Sequence, residues 1–591
     1  MTTPRTPLLL LLLCVWALAG AAQAPVQDDA LLRAMRAEVD RARDLRVVSL
    51  EPPYYIEYSV YDSRLLSIAA TLGALDGVRD EHGRLPRIRV RVGDYKFDNG
   101  NYIYSDSLLA ARYALGPFPI DSHELALRQY FWLATDVAYK SALQAIARKQ
   151  AALRNLTVTD QISDFAKAAP ITLVLPASRQ AIDQEVWKTR VRSLSALFAA
   201  YPLVSASVAE FQSSQGSFYF VNSEGSTVRV PEDTVSFHVR ATALAPDGML
   251  LRDSTSILAH DLGNLPAEPE LRRATEAVAE NLTALARAPL GESYTGPVMF
   301  EPLAAAQLLA DLFGRNLGQR RRPVTEPGRA LSFTESEFEG RVGSRILPDW
   351  MDIVDDPTAK EWNGRPLFGD YLVDLEGVTP APLVIVEKGT LRNMLATRQP
   401  VKGHEESNGR ARLFANFGAN APAFGNLIVR ATGTSTLAEL KQKLIDLCRQ
   451  GNKPYGLLIR KMDFPSTASG GEYRRIAARM AQDGGAGRMV SLPLLLYRVY
   501  PDGREELVRG LRLKGTSTRS LRDIVAAGGD PALFDYQENG WPFAVSGAAS
   551  FVAECSVVAP GLLFEELQLE RWEEEMPKLP IVPPPPLTMA R

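Results

Sequence analysis

The sequence predicts an α+β fold, in which an N-terminal α/β domain with long helices on a sheet is followed by a β-rich C-terminal domain. Three observations predict it. Apolar residues at long helical spacing lie mainly in the first half, clearest at Leu127, Phe131, Ala134, Ala138, Ala142 and Ala145. Strand-like alternating runs lie between those stretches, and from Tyr294 onward the chain turns to short, glycine-punctuated, β-rich segments. The 591 residues suffice for roughly two to four domains. The expected divisions are a signal peptide over 1–24, the α/β domain over 25–290, the β-rich domain over 291–575 and a Pro-rich tail over 576–591.

At the N-terminus Arg5 precedes an apolar run from Leu8 to about Ala19, followed by A-x-A sites at Ala19 to Ala21 and Ala22 to Ala24. That run is shorter than the roughly 20 residues that span a bilayer, and no later segment supplies a span. The pattern predicts a cleaved secretory signal, a mature chain beginning between Ala22 and Val26, and a periplasmic or secreted location. Cys14 follows Leu13 rather than a small residue, which argues against a lipoprotein. Cleavage leaves Cys448 and Cys555, and two cysteines fit one disulfide or two separate buried thiols equally well.

Residues 27–45 have helical spacing. Pro53 to Tyr61 and Leu65 to Leu75 read as two strands joined by a charged turn, Asp62-Ser63-Arg64, and alternation resumes from Arg87 to Val92. Asp121 and Glu124 form a capping-box pair that opens a helix running to about Leu153. A second helix is expected from Ser178 to Ala200. Strands follow at Ser217 to Val221, Val235 to Ala241 and Met249 to Ser256, then a helix from Glu268 to Ala286 that ends before Pro289. In the second half Glu387-Lys388-Gly389 and Pro501-Asp502-Gly503 signal hairpins, and Thr436 to Gln450 reads as a helix. The tail from Glu575, Pro-Lys-Leu-Pro-Ile-Val-Pro-Pro-Pro-Pro after Met576, extends neither a helix nor an interior strand.

Charge narrows the function. Against 69 Asp and Glu stand 66 Lys and Arg, a net charge of -3, so the basic excess of a sequence-independent nucleic-acid binder is absent and no nucleic-acid ligand is expected. The chain has five histidines. His123-Glu124 begins like H-E-x-x-H, but Leu127 stands at the second histidine position and Arg128 follows, so the reading there is a helix N-terminus. His404-Glu405 has Asn408 and Gly409 at those positions, and His404 is expected to face solvent. Neither a G-x-S-x-G elbow nor a Walker A motif occurs, and Gly484-Gly485-Ala486-Gly487 reads as a turn. No Cys/His cluster has zinc-site spacing.

A set of separated segments goes further. Arg89-Val90-Arg91-Val92-Gly93-Asp94-Tyr95 with Asp98-Asn99, and Asn222-Ser223-Glu224-Gly225, resemble the N-terminal domain of the TldD/PmbA family. Asp352-Ile353-Val354-Asp355-Asp356, Asp374-Leu375-Glu376-Gly377, the Leu383 to Leu395 hairpin and Ser407-Asn408-Gly409-Arg410 resemble its C-terminal domain in the same order. Leu507 to Ile524 and Val557 to Arg571 resemble its ending. The resemblance implies a metallopeptidase-related protein of a family also named modulators of DNA gyrase. Its members form dimers in which the two domains enclose a cavity, and the active subunit carries H-E-x-x-x-H. There the glutamate deprotonates a zinc-bound water and the metal polarises the scissile carbonyl. Histidines five apart differ by roughly 140° around an ideal helix, so the motif must sit where helical geometry is broken.

The matching segment here is Gly296-Pro297-Val298-Met299-Phe300-Glu301-Pro302-Leu303-Ala304-Ala305. Phe300 and Ala305 occupy the two histidine positions, and Glu301 alone survives, with an adequate alternative role as a helix N-terminal acid. The resemblance is therefore closer to the PmbA-like branch that lacks the motif. No cofactor is expected in this chain, zinc being left to a partner subunit. Cys555 lies near a zinc-ligand cysteine of active relatives but too close to Pro560, and that role is not carried over. The leading expectation is an exported, non-catalytic subunit or pseudo-peptidase that binds peptides or unfolded polypeptide. It would form a homo- or heterodimer with a TldD/PmbA-like homologue bearing the histidines. One alternative is an active zinc peptidase with an unorthodox site drawn from His404, Glu405 and Asp374, and another is a stand-alone secreted binding protein. Export argues against carrying over the gyrase connection.

Overall fold

The computed structural model describes residues 29–43, 51–103, 117–154, 162–177, 180–326, 328, 333, 335–414, 420–464, 490–539 and 552–571. The predicted signal peptide, the Pro-rich tail and the Gly484–Gly487 turn lie outside these residues. The chain is a mixed α/β fold with a β-rich C-terminal region, and among the described residues no helix is long and apolar enough to cross a membrane.

The first half is organised on a seven-stranded sheet. Along it run Ala74–Val92, Pro53–Thr71, Val204–Asn222, Thr227–Pro231 and Thr172–Val174, while Thr234–Leu244 pairs with the other half of Val204–Asn222 and carries Leu250–Ala259 outside it. Sequence reading placed a turn at Asp62-Ser63-Arg64, and the structure corrects this: Pro53–Thr71 is one strand, and the chain reverses at Leu72-Gly73, both at positive φ. The charged triplet is stable in mid-strand because ion-pairing and hydrogen-bonding side chains face it. Arg64 pairs with Asp80 at 2.7 Å, and Asp62 with His82 at 2.6 Å and Arg84 at 2.9 Å.

Helices cover this sheet. The first is Ala30–Arg43. The long one is Glu124–Leu153, three residues shorter than expected, because the cap is His123 rather than Asp121, its Nδ1 accepting from the Ala126 N–H at 3.3 Å. The expected Ser178–Ala200 helix is α-helical only over Gln184–Ser195, then 3₁₀ to Ala200. Asp183, a strong N-cap, accepts from the N–H groups of Glu185 and Val186 and fixes the later start. The strands expected at 217–221 and 235–241 lie within Val204–Asn222 and Thr234–Leu244, the one expected at 249–256 begins one residue later in Leu250–Ala259, and the helix Glu268–Arg287 follows expectation.

Two further sheets form the second half. One runs Thr390–Leu391, Leu383–Glu387, Met351–Asp355, Asn426–Ala431, Val552–Ala559, Ala532–Asn539, and the other Glu505–Val508, Leu492–Val499, Gly456–Asp463, Tyr294–Phe300, Leu562–Arg571, Leu511–Lys514, with Ile524–Ala527 also on Leu562–Arg571. Between them lies the helix Pro302–Leu312, every residue from Ala304 to Leu312 buried. Its near-continuous apolar sequence is what a helix enclosed on all sides requires. Lys388 and Gly389 turn the first predicted hairpin at positive φ, Gly503 the second, and Thr436 with Glu439 completes a capping box on Leu437–Gln450. Cys448 and Cys555 are separate buried free thiols, which settles the alternative left open by their number.

Candidate functional site

The segment that resembles the metal motif bridges a strand and the enclosed helix. Phe300 ends Tyr294–Phe300, is wholly buried, and meets Phe564 edge-on at 5.4 Å. Ala305, in the first turn of Pro302–Leu312, is also wholly buried. Between them Glu301 is the N-cap residue, but its side chain makes no capping bond. Its Oε1 instead accepts from Arg460 Nε at 2.8 Å, and Arg460 Nη2 donates to Glu505 Oε2 at 2.8 Å. Glu505 in turn pairs with Lys441 at 2.7 Å. Burial acts to lower the Arg460 pKa, but the bond and charge of Glu301 outweigh it and hold the guanidinium above its ordinary value.

These residues do not fit zinc. Neither a phenyl ring nor a methyl group offers a ligand atom, and the remaining carboxylate is committed to a guanidinium. The other candidates are dispersed. Asp374 is buried and closes a turn, its carboxylate accepting from the N–H groups of Glu376, Val378 and Ala411 at 2.9, 2.9 and 3.0 Å. Burial first, then the nearby Glu376, pushes its pKa up to about 7. Glu405 is exposed. His404, expected in solvent, is half-buried because the Val401–His404 backbone pair folds the loop back, and burial lowers its pKa. Among the described residues no group of three or more His, Cys, Asp and Glu side chains stands where it could hold a metal ion.

The segments behind the family resemblance act as fasteners. Arg91 Nη1 and the Tyr54 hydroxyl both donate to Asp98, at 2.6 and 2.7 Å, and Asn99 accepts from the Val92 N–H at 2.8 Å. Arg410 donates to Asp355 at 2.9 Å in a pair that is 1% and 0% exposed, so it has no free valence for a ligand. Arg398 joins the two halves: its guanidinium donates to Glu224 at 2.7 Å and the Ala166 carbonyl at 2.9 Å and lies 4.1 Å over the Phe165 ring, while its backbone N–H donates to Glu376 at 2.6 Å.

A cavity of about 440 Å³ lies beside the enclosed helix, which contributes Leu303 and Gln307 to its wall. Glu301 is not among the lining residues. Three sheets end here: Asp253 to Ala259 come from the outermost strand of the first, Leu533 to Asp535 from the outermost strand of the second, and Lys461 to Asp463 from the end of a third-sheet strand. No described strand pairs with the outer side of either outermost strand. Gln307 Oε1 accepts from the Met462 N–H at 2.8 Å and ties the helix to the wall. Lys461 Nζ reaches Asp253 at 2.6 Å and the Ser254 carbonyl at 2.8 Å, and Asp253 also accepts from Asn281 at 2.8 Å. Asp535 accepts from the Ser556 hydroxyl at 2.6 Å, and burial pushes its pKa up to about 6.

Sequence reading missed this cavity. That a strand is outermost depends on which others pair with it, and Leu250–Ala259 and Ala532–Asn539 lie almost three hundred residues apart.

Residues 293–491 match the model of the PmbA/TldA metallopeptidase C-terminal domain. Two archaeal proteins named metalloprotease are similar in sequence. The one from Methanothermobacter thermautotrophicus is 29% identical over 201 residues, and the one from Archaeoglobus fulgidus 32% identical over 116. These alignments span 34% and 19% of this chain, and only 40% and 24% of the relatives' own length. Solved structures extend the likeness along nearly the whole fold. TldE from Thermococcus kodakarensis superposes with a TM-score of 0.55 at 13% identity, covering 91% of this chain and all of that one. Residues 293–491 thus carry a domain of the PmbA/TldA metallopeptidase C-terminal type, on a fold like that of TldE. A modulator of DNA gyrase from Thermotoga maritima shares the fold at a TM-score of 0.53 and 15% identity, over 87% of this chain and 96% of that one. Those two likenesses concern the fold alone.

Proposed function

We propose that this chain is an exported, non-catalytic member of the TldD/PmbA family, a peptide-binding subunit that pairs with a homologue bearing H-E-x-x-x-H. One observation carries the reading: the family's metal positions are filled by Phe300 and Ala305, sealed in the core, while the same helix opens onto a cavity between two outermost strands. An outermost strand presents main-chain donors and acceptors at a fixed spacing, and an extended peptide pairs with them without any catalytic group. In the pair, this chain holds the substrate extended and out of water, and the zinc chemistry belongs to the partner. The Leu8 to Ala19 run and the small residues after it support export.

The test mixes the mature chain with an H-E-x-x-x-H homologue from the same genome. Light scattering is expected to show a heterodimer, and an unfolded peptide is expected to be cleaved by the mixture and not by this chain alone. N-terminal sequencing of protein from the native host should begin between Ala22 and Val26. Full hydrolysis by this chain alone, or an intact Met1 on the recovered protein, overturns the corresponding part of the proposal.

A further inference from the structure

The cavity has a charge pattern as well as a shape. Its lining carries four carboxylates, Asp253, Glu270, Asp463 and Asp535, against two cations, Lys461 and Arg365. Two of the acids are already matched: Asp253 by Lys461 at 2.6 Å, and Asp463 by Arg252 from the same outermost strand. Glu270 lies at the margin in the exposed first turn of its helix, 3.8 Å from Arg273. Asp535 differs from all three. It sits on the outermost strand of the second sheet, its hydrogen bond comes from a neutral hydroxyl, and the cations that act on it, Arg365 and His260, do so at longer range than an ion pair.

The apolar share of the wall includes Ile257, Leu303, Met462, Phe464, Leu494 and Phe534. Such a wall excludes water around a side chain's methylenes while a single carboxylate receives its tip. A long cationic side chain has that form. The stretch from Asp253 to Ala259 is about 23 Å long at about 3.3 Å per residue, so a paired peptide of about seven residues crosses the cavity with alternate side chains directed to one face.

We propose that the cavity selects extended peptides carrying a lysine or arginine side chain, received by Asp535 between the two outermost strands. This rests on the peptide-binding reading above and adds the substrate class. A neutral side chain of the same length leaves the Asp535 carboxylate desolvated and without a cation in contact, which is the source of discrimination. An acidic side chain adds repulsion.

The test uses the whole mature chain and three capped, fluorescein-labelled heptapeptides of alternating valine and threonine, with lysine, norleucine or glutamate at the centre. Fluorescence anisotropy at pH 7.5 is expected to show the lysine peptide bound about tenfold more tightly than the norleucine peptide, and the glutamate peptide most weakly. Asp535→Asn, whose amide oxygen still accepts from Ser556, should bring the lysine peptide down to the norleucine level and leave the norleucine peptide unchanged. Equal binding of the lysine and norleucine peptides by the wild type overturns the charge selection and leaves peptide binding standing. A lysine preference that survives in Asp535→Asn overturns the assignment to this cavity. Binding of none of the three overturns the peptide-binding reading together with this one. The wild-type comparison needs no variant, so a folding defect in Asp535→Asn cannot mask the result.

Discussion

Glu301 and Arg460 are joined by a hydrogen bond of 2.8 Å, and this bond claims the one acid in the segment that resembles H-E-x-x-x-H. Arg460 is shared with Glu505, whose second partner is Lys441, so the motif glutamate belongs to a chain of four alternating charges linking the strand Gly456–Asp463 to the helix Leu437–Gln450. The pair is partly solvated, at 34% and 22% side-chain exposure, which limits its worth to about 0–1 kcal/mol. Glu301→Gln should therefore cost no more than about 1 kcal/mol in urea denaturation. It should also leave peptide cleavage by the reconstituted pair within about threefold, where loss of a general base removes roughly 10² to 10⁴. A hundredfold loss with assembly and peptide binding intact would put Glu301 in the chemistry.

Restoring the missing letters should not restore a site. Ala305 is wholly buried in a helix packed on all sides, and an imidazole there needs both volume and a hydrogen-bond partner. Ala305→His is expected to destabilise the chain by roughly 2 kcal/mol or more, and Phe300→His with Ala305→His should gain no stability from added zinc in thermal unfolding. A rise in melting temperature with stoichiometric zinc would show that the position is open to a metal.

Arg398 should be a costly cation to remove. Its side chain is 0% exposed and serves Glu224, the Ala166 carbonyl and the Phe165 ring at once. Arg398→Met leaves Glu224 without its buried partner, and breaking such a pair typically costs 3–5 kcal/mol. Chemical denaturation followed by fluorescence would check it, and a loss under about 1 kcal/mol would contradict the fastening role.

A histidine at the same junction gives stability a pH dependence. His260 Nε2 lies 3.4 Å from Asp370, and its Nδ1 bonds the Asp233 carbonyl at 3.0 Å. Burial acts to lower its pKa, but the bond and charge of Asp370, with Glu554 behind, prevail and raise it from 6.5 to about 9. A raised folded pKa means that the charged imidazolium stabilises the fold in full below about 6.5 and progressively less as pH climbs through about 9. Asp370→Asn should remove this contribution, so melting temperatures of variant and wild type should differ most near pH 6 and converge above pH 9. A difference independent of pH would contradict the assignment.

Much of the fold was legible because local chemistry decides it. The Thr436 and Glu439 box and the Lys388-Gly389 turn are set by residues within four positions of each other, and the family segments occur in the expected order. What failed was also physical. Asp62-Ser63-Arg64 resembles a turn by its charges, yet those charges are balanced by Asp80 and Arg84, with a hydrogen bond from His82, on a strand the local sequence does not reveal. Asp121 looked like a cap beside Glu124, but His123 took the role. At the candidate site the departures at Phe300 and Ala305 could be read directly, whereas Asp535 could not, because its significance depends on two sheets meeting across the cavity.

The central claim is that this chain binds peptide without holding the catalytic metal, and elemental analysis of the mature chain, purified alone and without chelators, tests it most directly. Substoichiometric zinc is expected, below about 0.1 per chain at zinc concentrations that fill an ordinary structural site, and no peptide hydrolysis. About one tightly bound zinc per chain, released together with peptidase activity by a chelator and restored with it, would contradict the account.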